Sequence, residues 1–548
     1  MKQYTIGLDY GTLSARAVLM DLDSGACVAS SVYPYPHEVM SHQLPDGTKL
    51  GVDWALQDPQ DYWEALHATV PAVLREAGVA PEQVIGIGLD TTSCTMLPVA
   101  ADGTPLCQLP QWRSEPHAYI KLWKHHAAQQ YADKISALAE GSDLLAPFGQ
   151  YVSSEHFLPK VAQIAYEAPE LYQAADRIMQ VGDWLVWRMC GEESRSYCAA
   201  AYKSYYRLDR GDVSPAFLKK IHPLMENLAQ KQPAAVVYPG DRAGGLTAEA
   251  AAWLGLLPGT AVSASGVDAH VAVPGCRISE AGQFLMIIGT STCEMLLSKT
   301  YAEIPGISGV VPNGILPGFH AYECGQSCVG DMFAWFVEHC VPPAYFDEAQ
   351  TRGISIHNLL MEKAAALRPG QSGLVALDWW NGVRSTLMDF DLSGLIVGLT
   401  INTRPEEIYR ALLESTAYGA FHIVKTAEKS GVGVDRLWAT GGIPAKNPLL
   451  MQIYADVCGR DVYAVTEQQT GALGSAMLGA AAAKGGFAAL PEQLRQYEGV
   501  ESKVYHPIAE NVAVYRELFA LYNELYAHFG KGSDLMKKLK KLRVDATQ

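Results

Sequence analysis

The stretch Ile6-Gly7-Leu8-Asp9-Tyr10-Gly11-Thr12-Leu13-Ser14-Ala15-Arg16-Ala17-Val18-Leu19 decides how the rest of this chain is read. It predicts a strand, a Gly-Thr turn and a return strand. Gly11 lets the backbone turn tightly and lets a ligand approach the main chain. Successive turn N–H groups form a nest suited to an anion, and the Thr12 and Ser14 hydroxyls add donors. Asp9, at the end of the first strand, is an oxygen ligand for a hard cation such as Mg2+. An ordinary β-hairpin with an acidic residue beside its turn carries the same letters. An echo argues for more: Phe284-Leu285-Met286-Ile287-Ile288-Gly289-Thr290-Ser291-Thr292-Cys293-Glu294-Met295-Leu296-Leu297 repeats the pattern. Gly11 and Gly289 lie 278 residues apart, about half of the 548. Two hairpins with open, hydroxyl-lined tips predict a duplicated fold that holds a phosphate chain between its halves.

Composition sets the outer limits. An apolar content of 49% with 18% charged residues describes a globular chain with ample core. The net charge of −16 argues against nucleic acid or an anionic membrane as the main partner. The eleven cysteines are odd in number and scattered, without C-x-x-C pairs, which indicates neither a disulfide framework nor a zinc site. Met1-Lys2-Gln3 runs straight into a strand with no signal-peptide core, and the apolar stretch from Ala472 to Ala483 is too short for a bilayer. The expectation is a reduced, cytoplasmic protein.

Along the chain, the first 32 residues read as a three-stranded meander with its second turn at Asp21–Gly25. Asp58-Pro59 suits the N-cap and first turn of an amphipathic helix running to about Ala77. Val84 to Leu89 is a continuously apolar strand, of the kind covered on both faces, and it ends at Asp90-Thr91-Thr92-Ser93-Cys94. Residues 115–190 are expected to be mostly helical, with His117, His125 and His126 as structural or surface groups. Ala261 to Ala264 is a short strand that delivers Ser265-Gly266-Val267-Asp268-Ala269-His270 to its end. A boundary is expected near 275–282. In the second half, Glu406 to Phe421 is a helix and Arg436 to Thr440 a strand. Gly441-Gly442 follows, and then a helix capped by Asn447-Pro448. Thr470 to Lys484 is a small-residue helix, and Tyr515 to Phe529 carries the aromatic stripe of a docked terminal helix.

Phosphoryl transfer asks a protein for a phosphate cradle, a metal, and a carboxylate that accepts the attacking hydroxyl's proton. Asp268 is the best candidate for that carboxylate, because Gly266 and Ala269 leave room around it. A helix N-cap is the plain alternative. Gly441-Gly442 before a helix N-terminus is a second anion-binding candidate, with a plain turn as its alternative. Neither a Walker loop nor a Rossmann fingerprint is present, which excludes the commonest nucleotide folds.

These motifs, in this order, resemble the FGGY carbohydrate kinases over roughly residues 3–500. The resemblance implies an α/β fold of two actin-like (ribonuclease H-like) domains with an ATP cleft between them. Their bounds would be 1–277 and 278–500, with a helical extension at 501–548. By that likeness Gly11, Thr12, Leu13, Ser14 and Arg16 would hold phosphates, with Asp9 near Mg2+. Gly289 and Thr290 would face the γ-phosphate, while Gly441, Gly442, Lys446 and Asn447 would form the adenosine motif. Gly471 to Gly479 would be the connecting helix. Asp268 would be the general base and a second Mg2+ contact.

Trp54–Pro59, Pro116–His126, Gly289–Cys293 and Lys446–Asp456 look more narrowly like the members of that family that act on L-ribulose. The implied sugar contacts are Ser93, Lys203, Asp268 and Glu323, whose plain alternative is surface salt-bridge chemistry. The implied reaction is phosphorylation of L-ribulose at its C5 hydroxyl by ATP with Mg2+, in a homo-oligomer (dimer). The rivals are a kinase of D-ribulose, D-xylulose or ribitol, a chaperone-like ATPase on the same fold, and a silent sugar sensor. The chain departs from the wider family at Gln111–Glu115, at Gln163, where one signature expects an aromatic, and at Leu412.

Overall fold

In a computed structural model, which describes residues 2–467, 469–497 and 499–547, the chain packs as two units, each with its own sheet. The first unit comprises Met1–Ser279, Val311–Phe319 and Gln469–Gly499; the second comprises Glu280–Val310, His320–Gln468 and Val500–Gln548. Residues 469–499 pack with the first unit, and the terminal helices with the second.

In the first unit the strands Cys27–Pro34, Ser14–Asp21 and Tyr4–Tyr10 form the expected antiparallel meander. Val84–Thr91 and then Ala261–Ser263 continue the sheet in parallel. The second unit repeats this order: His320–Gln326, Thr292–Ser298 and Gln283–Ile288 are antiparallel, and Arg436–Thr440 and Val462–Val465 are parallel. The duplication suggested by the two hairpins is thus a duplication of whole sheets.

Local chemistry explains the elements around them. Asp58 accepts from the Gln60 N–H and Pro59 opens the helix Pro59–Ala77, which stops at Gly78 in the left-handed conformation (φ 62°). Asn447 caps Pro448–Cys458 through Leu450 N at 2.9 Å. The helix Thr470–Ala483 lies against the first sheet so closely that side chains are excluded on both sides. A Cβ on Gly7 would fall 1.8 Å from the Ala472 carbonyl oxygen, and one on Gly86 would fall 2.2 Å from that of Gly479. The aromatic stripe of Ala509–Ala527 is docked as expected, with Tyr515, Tyr522 and Tyr526 buried in the core of the second unit. Among the described residues no single helix is long and apolar enough to cross a membrane.

The second unit buries one costly group. Glu294, on Thr292–Ser298, is fully buried and neither carboxyl oxygen has a hydrogen-bond partner. Burial pushes its carboxyl up to about 8; the nearby Asp378 adds to the rise and Arg384 opposes it. In the unfolded chain this group ionises near 4.5. The folded state therefore loses stability as pH rises from about 4.5 through about 8, and no further above that. Glu294→Gln removes the titration. Relative to wild type it is expected to gain about 2–4 kcal/mol between pH 5 and pH 8.5. Thermal unfolding at the two pH values checks this, and a wild-type-to-variant difference that does not change with pH contradicts it.

Candidate active site

Strand register brings Asp9, Asp90 and the segment leading to Asp268 to one end of the first unit's sheet. Asp9 pairs with Asp90 across parallel strands, and Gly266, two residues before Asp268, pairs with Asp90 on its other side. All three reach the carboxyl end of the sheet, where α/β folds place their ligands. Across the hairpin Asp9 faces Arg16, with Nε 3.5 Å from Oδ2. Asp90 is fully buried; its Oδ2 accepts from the Ser475 hydroxyl at 2.6 Å and its Oδ1 has no partner. Burial holds the Asp90 carboxyl well above the usual range. The charges of Asp9 and Asp268 add to this, and Ser475 and Arg16 oppose it. Burial also raises Asp9, against the pull of Arg16 and a hydrogen bond with Asp90. Asp9 and the unpartnered Asp90 oxygen are donors of the kind a hard divalent cation takes, but among the described residues no group of three or more His, Cys, Asp or Glu side chains is gathered closely enough to hold a metal ion.

Asp268 is the first residue of the helix Asp268–Gly275, not its N-cap, a position that Val267 takes without a side-chain bond. Its Oδ1 accepts the adjacent Ala269 N–H at 2.8 Å. It is half-buried at a strand-to-helix junction.

The first hairpin is more structured at its tip than a free nest. Gly11 N–H donates to the Ser14 carbonyl at 3.0 Å and is spent inside the turn. Thr12 accepts Gln57 Nε2 on its carbonyl at 2.8 Å and Trp123 Nε1 on its hydroxyl at 3.1 Å. That leaves the Thr12 O–H itself to donate. Leu13 is exposed at the tip, and Ser14 begins the return strand half-buried.

On the sugar side, Ser93 follows two residues after Thr91, which pairs with Val267 beside Asp268. Cys94 adopts a positive φ of 57°, and its Sγ lies 3.4 Å from Ser93 Oγ. Lys203, at the end of the helix Tyr197–Lys203, is buried, which removes the surface salt-bridge alternative. Its charge reaches the Cys94 thiol, where it opposes the upward push of burial. Glu323 belongs to the second unit, half-buried on His320–Gln326 opposite Met295.

In the second unit Gly289 N–H closes its own turn onto Ser291 at 2.9 Å. The Gly289 and Thr290 carbonyls accept N–H groups of Val329, Gly330 and Asp331 at the start of the helix Gly330–Cys340. Thr290 is exposed at this tip. Gly441 has φ 105°, and a Cβ there would fall 2.5 Å from the Ile288 carbonyl oxygen, so the hairpin and the Gly-Gly turn touch through glycine. Gly442 and Lys446 are exposed, whereas Asn447 is buried with its side-chain oxygen committed to the helix cap.

Asp90 and Ser475 escaped the sequence reading. Asp90 was visible as a strand end, but its partners come from 385 residues further along the chain. Gln163 also has a clear role. It accepts from Lys121 Nζ at 3.0 Å, lies 2.8 Å from His125 Nε2 and donates to Glu167 at 3.2 Å, which makes it a buried polar hub. His117 and His125 are buried in this region, and His126 is more exposed.

The comparisons agree with this architecture. The N-terminal domain of the FGGY family of carbohydrate kinases matches residues 4–275, and its C-terminal domain matches residues 284–483. A Bacillus licheniformis protein named ribulokinase is 49% identical over 97% of this chain and 98% of its own. Another of that name, from Geobacillus thermodenitrificans, is 48% identical over 98% and 97%. Among solved structures, a Rhodospirillum rubrum xylulose kinase superposes with a TM-score of 0.79 at 22% identity, covering 96% of this chain and 98% of that one. For a Plasmodium falciparum glycerol kinase with ADP the TM-score is 0.74 at 17% identity, with coverage of 96% and 98%. A duplicated sheet, aspartates at the strand ends and two family domains spanning nearly the whole chain leave one assignment: this chain is a member of the FGGY family of carbohydrate kinases, an ATP-dependent sugar kinase.

Proposed function

We propose that the protein transfers the γ-phosphoryl group of ATP to the C5 hydroxyl of L-ribulose. The observation that carries the reaction type is the placement of Asp268 at a strand-to-helix junction beside the Asp9–Asp90 pair. The substrate choice is supported by relatives named ribulokinase at 48–49% identity over nearly the full length.

In this reading the Asp268 carboxylate takes the proton of the C5 hydroxyl as that oxygen bonds to the γ-phosphorus. The bond from that phosphorus to the bridging oxygen breaks and ADP leaves. Ser93, Lys203 and Glu323 hold the other sugar oxygens. Arg16 and the Thr12 and Ser14 hydroxyls bind phosphate oxygens, with Gly11 and Leu13 shaping the tip. Gly289 and Thr290 serve the γ-phosphate, and Gly441, Gly442, Lys446 and Asn447 the adenosine. Asp9 and Asp268, with the leftover oxygen of Asp90, would hold Mg2+. When bound, that ion neutralises phosphate charge.

A coupled ADP-release assay with L-ribulose, D-ribulose, D-xylulose, ribitol and water tests the reading. The expected result is fastest turnover with L-ribulose and little ADP in water. Preference for another sugar overturns the substrate, and sugar-independent hydrolysis overturns the transfer.

A further inference from the structure

Lys160 lies wholly inside the first unit, on the helix Phe157–Glu167. Its ammonium donates to two backbone carbonyls, Cys94 at 2.9 Å and Leu122 at 2.7 Å. A buried ammonium usually meets a carboxylate, because desolvation otherwise costs more than neutral acceptors return. No ion pair of Lys160 with a carboxylate exists among the described residues, so the group is held at a net expense.

The first of those carbonyls is informative. Cys94 is a non-glycine residue in the left-handed region, φ 57°, a conformation that persists where its surroundings enforce it. It follows Ser93 directly, in the turn that leaves the strand beside Asp268. The same turn is tied by the Thr92 and Thr95 hydroxyls, 2.7 Å apart, and by Thr95 Oγ1 donating to the Ser93 carbonyl at 3.3 Å. The second carbonyl, Leu122, belongs to the segment whose Trp123 holds the Thr12 hydroxyl.

We propose that Lys160 is a positioning residue for the sugar: it clamps the strained Ser93–Cys94 turn to the Leu122 segment and so presets the surface that receives the substrate's hydroxyls. This inference rests on the assignment of Ser93 to the sugar site. It predicts that loss of the clamp weakens sugar binding more than nucleotide binding, because Cys94 joins Ser93 directly whereas Thr12 is also held by Gln57.

The charge on the clamp is sensitive to pH. Burial lowers Lys160 to about 8, while Cys94 and Glu155 pull it upward. Lys121 and His125 sense its charge, and Lys203 faces the same Cys94 thiol. Above about pH 8 the ammonium loses its proton and the two charge-assisted bonds weaken.

The test is steady-state kinetics of the full-length protein, with whichever panel sugar the wild type turns over best, from pH 6.5 to 9. The expected results are a severalfold rise of the wild-type sugar KM between pH 7 and 9, with the MgATP KM changing less than twofold. Lys160→Arg, which stays charged, should flatten that rise, and Lys160→Met should raise the sugar KM at least tenfold at pH 7. A flat wild-type profile overturns the proposal even if neither variant folds, and so does a Lys160→Met enzyme whose sugar and MgATP KM values rise together. Absence of turnover with every sugar overturns the proposed function and this inference with it. Turnover with an unaltered Lys160→Met overturns this inference alone.

Discussion

Asp268→Asn is expected to lower kcat by about 10²–10⁴-fold, the range associated with a positioned general base. Asparagine keeps the size of the side chain and an oxygen for the Ala269 N–H, a bond of 2.8 Å in the structure, so the helix start survives the change. What it removes is an acceptor for the proton of the attacking hydroxyl and one of the two carboxylate charges, those of Asp9 and Asp268, that act on Asp90. The Asp90 carboxyl, raised in part by the charge of Asp268, should then titrate lower. ATP affinity should stay within severalfold of wild type, because Arg16, Thr12 and the Gly-Gly turn are untouched, and Asp9 and the new amide oxygen remain for the ion. Single-turnover rates together with nucleotide binding by calorimetry separate these effects. A variant that keeps more than a tenth of wild-type kcat contradicts the role given to Asp268.

Gly88→Ala is expected to destabilise the protein by about 3 kcal/mol or more, at or beyond the top of the usual overpacking range. The new Cβ would fall 1.9 Å from the Ser475 carbonyl oxygen and 2.8 Å from the Gly479 backbone nitrogen. Both obstacles are main chain, so no side chain can turn away, and either the helix Thr470–Ala483 or the strand Val84–Thr91 must shift. The shift would also move Ser475 off Asp90, since that hydroxyl holds the carboxyl at 2.6 Å. Urea unfolding provides the measurement. Gly433→Ala, with open space around the new methyl, serves as the control and should stay within about 0.5 kcal/mol. Equal effects at the two glycines contradict the close-approach account.

The same helix shows where the sequence was legible and where it was not. Its run of Ala and Gly announced close packing, and its span of 470–483 is within a residue of the expectation. Its partner could not be read locally, because the strands that it covers lie near the start of the chain. The hairpin tips, the Asp58 and Asn447 caps and the strand Arg436–Thr440 were legible, since each rests on neighbouring residues alone. Leu56–Gln57 and Ile120–Lys121, which pair in a small sheet with Met96–Val99, were missed, because two residues carry no periodicity. For the site, Asp9 and Asp268 could be picked out from strand-end position and small neighbours. Asp90 and Lys160 could not. One depends on parallel register and the other on a carbonyl 66 residues away, and neither leaves a mark in spacing or composition.

The most direct test of the central claim is phosphorus–proton correlation NMR of the product formed from L-ribulose and ATP. The account predicts one sugar phosphate whose phosphorus couples to the C5 methylene protons, formed mole for mole with ADP. Coupling to the C1 protons, or inorganic phosphate in place of a sugar phosphate, would contradict it.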